Sequence, residues 1–224
     1  MSLYFGVFIS LFAYLIGMKL KKKFGWPVLN PLLVAIILVI AFLKATGISY
    51  TDYNTGASYI SYFLTPSTVC LAIPLYKQLE LLKKNLTAVA AAITAGVIGS
   101  VVSVYVMSMI FRLEHVHYVS LLPKSITTAI GMGISEELGG IVTITVAAII
   151  ITGIIGNMFG DVICRLCGIR HPIATGLAIG TASHAMGTAK ATEIGEIEGA
   201  MSSLSIAVAG LMTVIGATIF YQLY

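Results

Sequence analysis

The sequence has few charges. Its 224 residues hold 13 Lys and Arg and 9 Asp and Glu, 10% in all, against 58% hydrophobic residues. A soluble domain carries roughly a quarter charged residues, so there is too little charge here to coat a water-soluble globule. The shortage excludes a cytosolic enzyme. It also excludes a disordered chain, which needs high charge and low hydrophobicity. Cysteine is scarce as well. Cys70 falls inside an apolar run, and Cys164 and Cys167 form one isolated C-x-x-C beside Arg165. That is no disulfide framework, and a zinc site would want two more ligands. No G-x-S-x-G, H-E-x-x-H, Walker loop or Rossmann fingerprint occurs. Enzyme chemistry, a metal and a cofactor are therefore not expected, and nothing points to nucleic acid. The first apolar run lacks a basic leader and a small-residue cleavage site, so no cleavable signal peptide is read.

What the chain does have is length without charge. Residues 1–18, 24–43, 53–76, 85–111, 138–160 and 199–224 contain no Asp, Glu, Lys or Arg, and the mean hydropathy is +0.99. A spanning helix needs about 20 mostly apolar residues. These runs are rich in Ile, Leu, Val, Ala and Gly and lack the alternation of a barrel strand. The expected fold is an all-α membrane protein: a polytopic bundle of about 6–8 hydrophobic segments in one domain, residues 1–224.

Charge placement orients the bundle. Lys19, Lys21, Lys22 and Lys23 follow the first run, and Lys77, Lys83 and Lys84 follow the third. Basic loops favour the cytoplasm, which puts the loop of Arg112, Glu114, His115 and His117 outside. The next basic pair, Arg165 and Arg170, then falls on the wrong side if residues 118–137 cross. Parity is restored if that segment enters and leaves on one side. Pro123, Gly131 and Gly133 suit such a break, and Glu136-Glu137 closes it before Gly139-Gly140. Re-entrant backbone is tolerated only where it is buried in protein or lines a cavity. A crossing helix that violates the charge rule is the alternative.

Two segments echo each other: Pro66-Ser67-Thr68-Val69 to Pro74, and Pro123-Lys124-Ser125-Ile126 to Gly131. Paired proline-interrupted segments mark the repeats of secondary transporters, so an inverted repeat is one reading. Two unrelated kinks are the other.

Some residues are costly in a membrane. Lys124 sits among Val119, Leu121, Leu122, Pro123 and Ile126. A buried charge marks a pathway or a pair; a lysine near the interface instead snorkels. Lys124 either meets an anion or pairs Glu136 or Glu137. The hydroxyls of Ser125, Thr127 and Thr128, beside backbone N–H groups freed by the proline, suit an oxyanion pocket. Farther on, Gly176, Gly180, Ser183 and Gly187 fall on one stripe of a continuous helix, with Lys190 on that side and His184 at its border. Close helix packing explains the glycines. His184 is a satisfied core histidine or a substrate or proton contact. Glu193 and Glu196 form a solvated face or a cavity mouth.

Several motifs occur in order. They are Asn30-Pro31-Leu32-Leu33, Pro66 to Tyr76, Pro123-Lys124-Ser125-Ile126-Thr127-Thr128, Glu136 to Gly140, Gly180-Thr181-Ala182-Ser183-His184 and Glu198-Gly199-Ala200. Together they closely resemble the LrgB/CidB family of bacterial membrane proteins over almost the whole chain. One departure is Ala129, where members often have proline. The resemblance implies a multi-pass protein of the bacterial cytoplasmic membrane and a small LrgA/CidA-like membrane partner. It also implies a role as an antiholin-like regulator of murein hydrolases, or as a carrier of small carboxylates such as pyruvate or glycolate.

Taken together, the leading expectation is a secondary carrier of a small monocarboxylate. Pro66, Ser67, Thr68, Pro123, Lys124, Ser125, Thr127, Thr128 and His184 would bind the substrate. Glu136, Glu137, His184 and Lys190 are the candidates for proton or ion coupling. The alternative is an antiholin-like homo-oligomer that modulates membrane permeability through its glycine faces.

Overall fold

Charge-poor runs of this length satisfy their backbone groups as helices. In the computed structural model, which describes residues 4–26, 29–63, 66, 69, 70 and 72–224, every regular element among the described residues is a helix. The chain divides into two compact units, residues 1–70 and 71–224.

The first unit holds α1 (Phe5–Phe24), α2 (Pro31–Thr46) and α3 (Tyr50–Ser61). Asn30-Pro31 starts α2: the Asn30 side chain accepts the N–H groups of Leu32 and Leu33, and Pro31 takes the first helical position, where a missing N–H costs nothing. Gly6 packs on Tyr53 and Ala57, and Gly17 on Pro31, so hydrogens alone separate α1 from its neighbours. The apolar run from residue 53 does not continue as one helix, because α3 ends at Ser61.

The second unit opens with α4 (Ala72–Lys77) and α5 (Leu79–Lys84). It continues with α6 (Leu86–Phe111), α7 (His115–Leu121), α8 (Thr128–Glu137), α9 (Val142–Leu166), α10 (Pro172–Ile194) and α11 (Glu196–Tyr221). Among the described residues, α6, α9 and α11 are long and apolar enough to cross a membrane. Val89, Ile93, Val97, Val101 and Val104 form the buried stripe of α6 and pack with Met201 and Ala209 of α11. Leu211, Ile215 and Ile219 remain exposed on α11, the surface that lipid tails cover in a membrane protein.

The segments between the long helices fold back on themselves. In the first, α7 runs inward, the chain turns through Leu122–Thr127, and α8 runs back. Ile141 N–H donates to Ser120 Oγ at 2.7 Å, and Thr145 Oγ1 donates to Ser120 O at 2.8 Å. Deeper in, a Cβ on Gly131 would lie 3.5 Å from Pro123 O. Residues 120 and 141 are level, and so are 123 and 131. The segment thus leaves by the end at which it entered, which is the re-entrant alternative of the sequence reading.

The second reversal corrects the sequence reading. The stripe of Gly176, Gly180, Ser183 and Gly187 presumed one continuous helix. Within α10, Ser183 (φ −138°, ψ 22°) and His184 (φ 42°, ψ −142°) leave the helical region. Gly180 abuts Ser202 and Ser205, yet Thr188 Oγ1 also lies 2.7 Å from Ser202 Oγ. Eight residues of straight helix would separate them by about 12 Å. Likewise Gly176 abuts Glu198 while Gly199 abuts Thr192. The two halves of α10 are therefore the arms of a second hairpin, and its tip is Ser183-His184.

The hairpins enter from opposite ends. At one end the first hairpin meets the last turns of α6 and α11. Tyr118 Oη donates to Phe220 O at 2.8 Å, Tyr224 Oη reaches Leu113 O at 2.6 Å, and the Tyr118 and Tyr224 rings stack at 4.5 Å. At the other end Cys164 of α9 packs with Ile179 and Ala191 from both arms of the second hairpin, next to Arg165 and Arg170. These are called the tyrosine end and the arginine end below. Helix α6 with the first hairpin, and α9 with the second, are the same motif run in opposite directions. This is an arrangement of two helix-and-hairpin motifs of opposite direction. Of the earlier echo partner, residues 66–74, positions 67, 68 and 71 lie outside the described residues.

Candidate functional site

The first tip exists because proline cannot continue α7. Pro123 lacks the N–H that a helix interior uses, so α7 stops although Leu122 itself keeps helical backbone (φ −51°, ψ −47°). The chain turns instead, with Lys124 N–H donating to Leu121 O at 3.1 Å. Thr127 then takes extended backbone (φ −65°, ψ 146°) and starts α8, without a side-chain cap bond. The turn leaves Lys124 half-buried on α6. Its Nζ donates to Ser125 Oγ at 3.2 Å and to Ser100 Oγ at 3.4 Å, and the two hydroxyls lie 2.8 Å apart.

Glu136 and Glu137 are exposed near the base of this hairpin, so the pair with Lys124 is not formed. Lys77–Glu196, His117–Glu114, Arg165–Asp161 and Lys190–Glu193 are ion pairs among the described residues, and none of these involves Lys124. Lys124 Nζ therefore meets two neutral hydroxyls and, among the described residues, no carboxylate.

The second tip is held by α9. His184 is 5% exposed, and its Nε2 lies 3.0 Å from Ile149 O. A carbonyl only accepts, so Nε2 carries the proton in this bond. Asn157 Nδ2 donates to Met186 O at 2.7 Å, and Ser183 Oγ donates to Ile179 O at 2.7 Å. Helix α9 admits the tip because it offers glycines. A Cβ on Gly153 would lie 2.7 Å from His184 Cε1, and one on Gly156 would overlap Ser183. His184 at φ 42° is a non-glycine residue in left-handed backbone. Such strain persists only where its surroundings hold it, and it concentrates at functional sites.

The tips converge on α9. Ile149 meets both: its carbonyl takes His184, and its side chain lies 2.5 Å from where a Cβ on Gly131 would stand. Beside them is a cavity of 680 Å³, within the size range of small-molecule sites. Ser100 and Ser103 of α6, Lys124 and Ser125 of the first tip, Thr152 of α9, and Thr181 and Ser183 of the second hairpin supply its polar groups. Its walls extend past Gly160 to Cys164 and Ile169, toward the arginine end. On the other side of Lys124 a 230 Å³ cavity reaches Ser108, Phe111 and Leu113, toward the tyrosine end.

The expected residues therefore divide. Lys124 and Ser125 line one cavity with Ser183, with Pro123 buried beside them, whereas the His184 ring does not line that cavity and turns to Ile149 and Gly153 of α9. Thr127 and Thr128 are half-buried where α8 starts. Lys190 lies on the returning arm of the second hairpin, bonded to Glu193 at 3.1 Å. Pro66 is exposed and belongs to the first unit, while Ser67 and Thr68 lie outside the described residues. Sequence reasoning missed Ser100 and Thr181. Ser100, in the Gly-Ser-Val-Val-Ser run of a spanning segment, carried a signal in its polarity.

The sequence model of the LrgB-like family matches residues 10–223. An antiholin-like protein LrgB of Bacillus mycoides (strain KBAB4) is 44% identical over 221 residues, covering 98% of this chain and 96% of that protein. The antiholin-like protein LrgB of Bacillus subtilis (strain 168) is 44% identical over 224 residues, covering 100% of this chain and 97% of its own. No solved structure matches the chain.

Proposed function

The chain belongs to the LrgB-like family of membrane proteins, and on that premise we propose that it is a secondary carrier of a small monocarboxylate. The observation that carries this reading is Lys124. It is a cation without a carboxylate partner among the described residues, at the meeting of two hairpins and between two cavities directed to opposite ends. A carrier needs one site reachable alternately from either side, and opposed broken helices are a known way to build it. The anion's carboxylate binds Lys124 Nζ with the hydroxyls of Ser100 and Ser125, while N–H groups at the start of α8 add positive potential. His184, whose ring borders the tips, is the candidate for a coupled proton. Glu136 and Glu137 are too exposed to share that role.

Sidedness follows from charge. Lys83 and Lys84 precede α6, Arg165 stands in the last turn of α9, and Arg170 follows that helix. Both sets fall at the arginine end, which the positive-inside rule assigns to the cytoplasm of a multi-pass protein in the bacterial cytoplasmic membrane.

A second reading is an antiholin-like regulator of murein hydrolase activity, acting as a homo-oligomer or with a small LrgA/CidA-like partner. The names of the relatives favour it more directly than they favour transport. Uptake of labelled pyruvate, lactate and glycolate into proteoliposomes of purified protein separates the two. Saturable uptake supports the carrier. No uptake of any acid, with Lys124→Ala still disturbing lysis control in cells, leaves the regulator.

A further inference from the structure

Two cysteines stand together at the arginine end. Cys164 is in the last turn of α9, and Cys167 directly follows that helix. Backbone bonds close the turn around Gly168, which takes left-handed backbone (φ 74°). Cys167 N–H donates to Ile163 O at 2.9 Å, and Ile169 N–H donates to Cys164 O at 2.8 Å. The two cysteines are therefore held as helical residues three positions apart, with Cα atoms about 5 Å from each other. That separation is within the span a disulfide bridges.

Their surroundings differ. Cys167 is exposed and Cys164 is buried. Cys164 packs with Ile179 and Ala191 from the two arms of the second hairpin, and Ile169, Ala178 and Ile194 lie against this cluster. Ile179 also faces Gly160, where a Cβ would lie 3.3 Å from its Cγ1. Helix α9 thus meets the hairpin here through Gly160 and Cys164, one turn apart. Both residues line the wall of the 680 Å³ cavity. An exposed thiol one turn from a buried one suits an attacking and a resolving cysteine.

We propose that Cys164 and Cys167 are a redox modification site, oxidised by a hydroperoxide, that loosens the second hairpin. The Cys167 thiolate attacks the peroxide and the O–O bond breaks. The Cys167 sulfur keeps an OH group, and the departing oxygen takes up the proton that the thiol released. The Cys164 sulfur then attacks the Cys167 sulfur and the S–O bond breaks. Water leaves with the Cys164 proton, so the two thiols have given up two electrons to the peroxide. Helical residues three apart hold their Cβ atoms about 5–6 Å apart, whereas a disulfide needs about 3.5–4.5 Å. The last turn of α9 must tighten to form the bond, and Cys164 then leaves its seat against Ile179 and Ala191. A disulfide that strains its surroundings is readily reduced by other thiols, so the modification reverses.

Purified Cys70→Ser protein in detergent, treated with hydrogen peroxide, tests this. Mass spectrometry is expected to find a Cys164–Cys167 disulfide that dithiothreitol removes. Hydrogen exchange of the second hairpin, Pro172–Ile194, is expected to rise about threefold on oxidation and to return on reduction. The further change Cys167→Ser, at an exposed position, is expected to abolish both responses. Cys167 found only as a sulfinic acid, or only in disulfides between chains, overturns the assignment. So does a Cys164–Cys167 bond that leaves the exchange of the hairpin unchanged. These readings do not depend on what the cavity carries, so the carrier reading stands or falls separately.

Discussion

His184 Nε2 lies 3.0 Å from the carbonyl oxygen of Ile149, and this one bond ties the tip of the second hairpin to the middle of α9. Ile149 is in the interior of a 25-residue helix, so its carbonyl already has a helical donor and His184 adds a second. His184→Ala removes the added bond and leaves space beside Gly153. The expected loss is about 1 kcal/mol of stability, read as a lower melting temperature in detergent, with a larger fall in uptake because the tip loses its anchor. Unchanged uptake would make the ring dispensable.

The glycines of α9 and α8 make a matched comparison. A Cβ at Gly156 would overlap Ser183 of the second tip, so Gly156→Ala is expected to destabilise the protein by about 1–3 kcal/mol through overpacking. Gly133, on the exposed face of α8, has nothing within 4 Å of such a Cβ. Gly133→Ala is expected to be neutral or to stabilise by up to about 1 kcal/mol through helix propensity. Melting curves of the two variants check this.

The hairpins are testable by labelling. In a variant with Cys70, Cys164 and Cys167 replaced, Glu114→Cys and Glu137→Cys lie at the two ends of the first hairpin and should label from the same side of the membrane. Arg170→Cys and Glu193→Cys, at the ends of the second, should both label from the opposite side. Labelling of Glu114→Cys and Glu137→Cys from different sides would mean that this segment crosses.

The tyrosine end has its own clasp. Tyr224 Oη lies 2.6 Å from Leu113 O and 3.0 Å from Ser108 O, joining the C-terminus to the end of α6. Tyr224→Phe keeps the stacking on Tyr118 and loses the hydroxyl. The expected cost is about 1 kcal/mol, measurable as a drop in melting temperature; an unchanged value would show that the clasp rests on ring packing alone.

Much of this site was legible in residue chemistry. Lys124 in an apolar run declared itself by the cost of burying charge, and Pro123 declared a break because proline has no N–H. Charge parity exposed the first reversal, since Arg165 and Arg170 otherwise fall on the wrong side. The second reversal was not legible. Ser183-His184 carries no proline, and Gly176, Gly180 and Gly187 fit a close-packed helix stripe equally well. What turns the chain there is tertiary: the glycine face of α9 accepts Ser183 and His184, and Ser202 of α11 meets both arms. Thr181 was hidden for a similar reason, because its place in the cavity wall is a property of the packed structure.

The carrier account turns on Lys124, and the concentration dependence of labelled pyruvate uptake by wild type and Lys124→Ala tests it most directly. The account expects saturable uptake by the wild type and a KM at least tenfold higher in Lys124→Ala, as for loss of a charge-assisted bond worth about 1.5–3 kcal/mol. Folded Lys124→Ala protein that takes up pyruvate with an unchanged KM would contradict it.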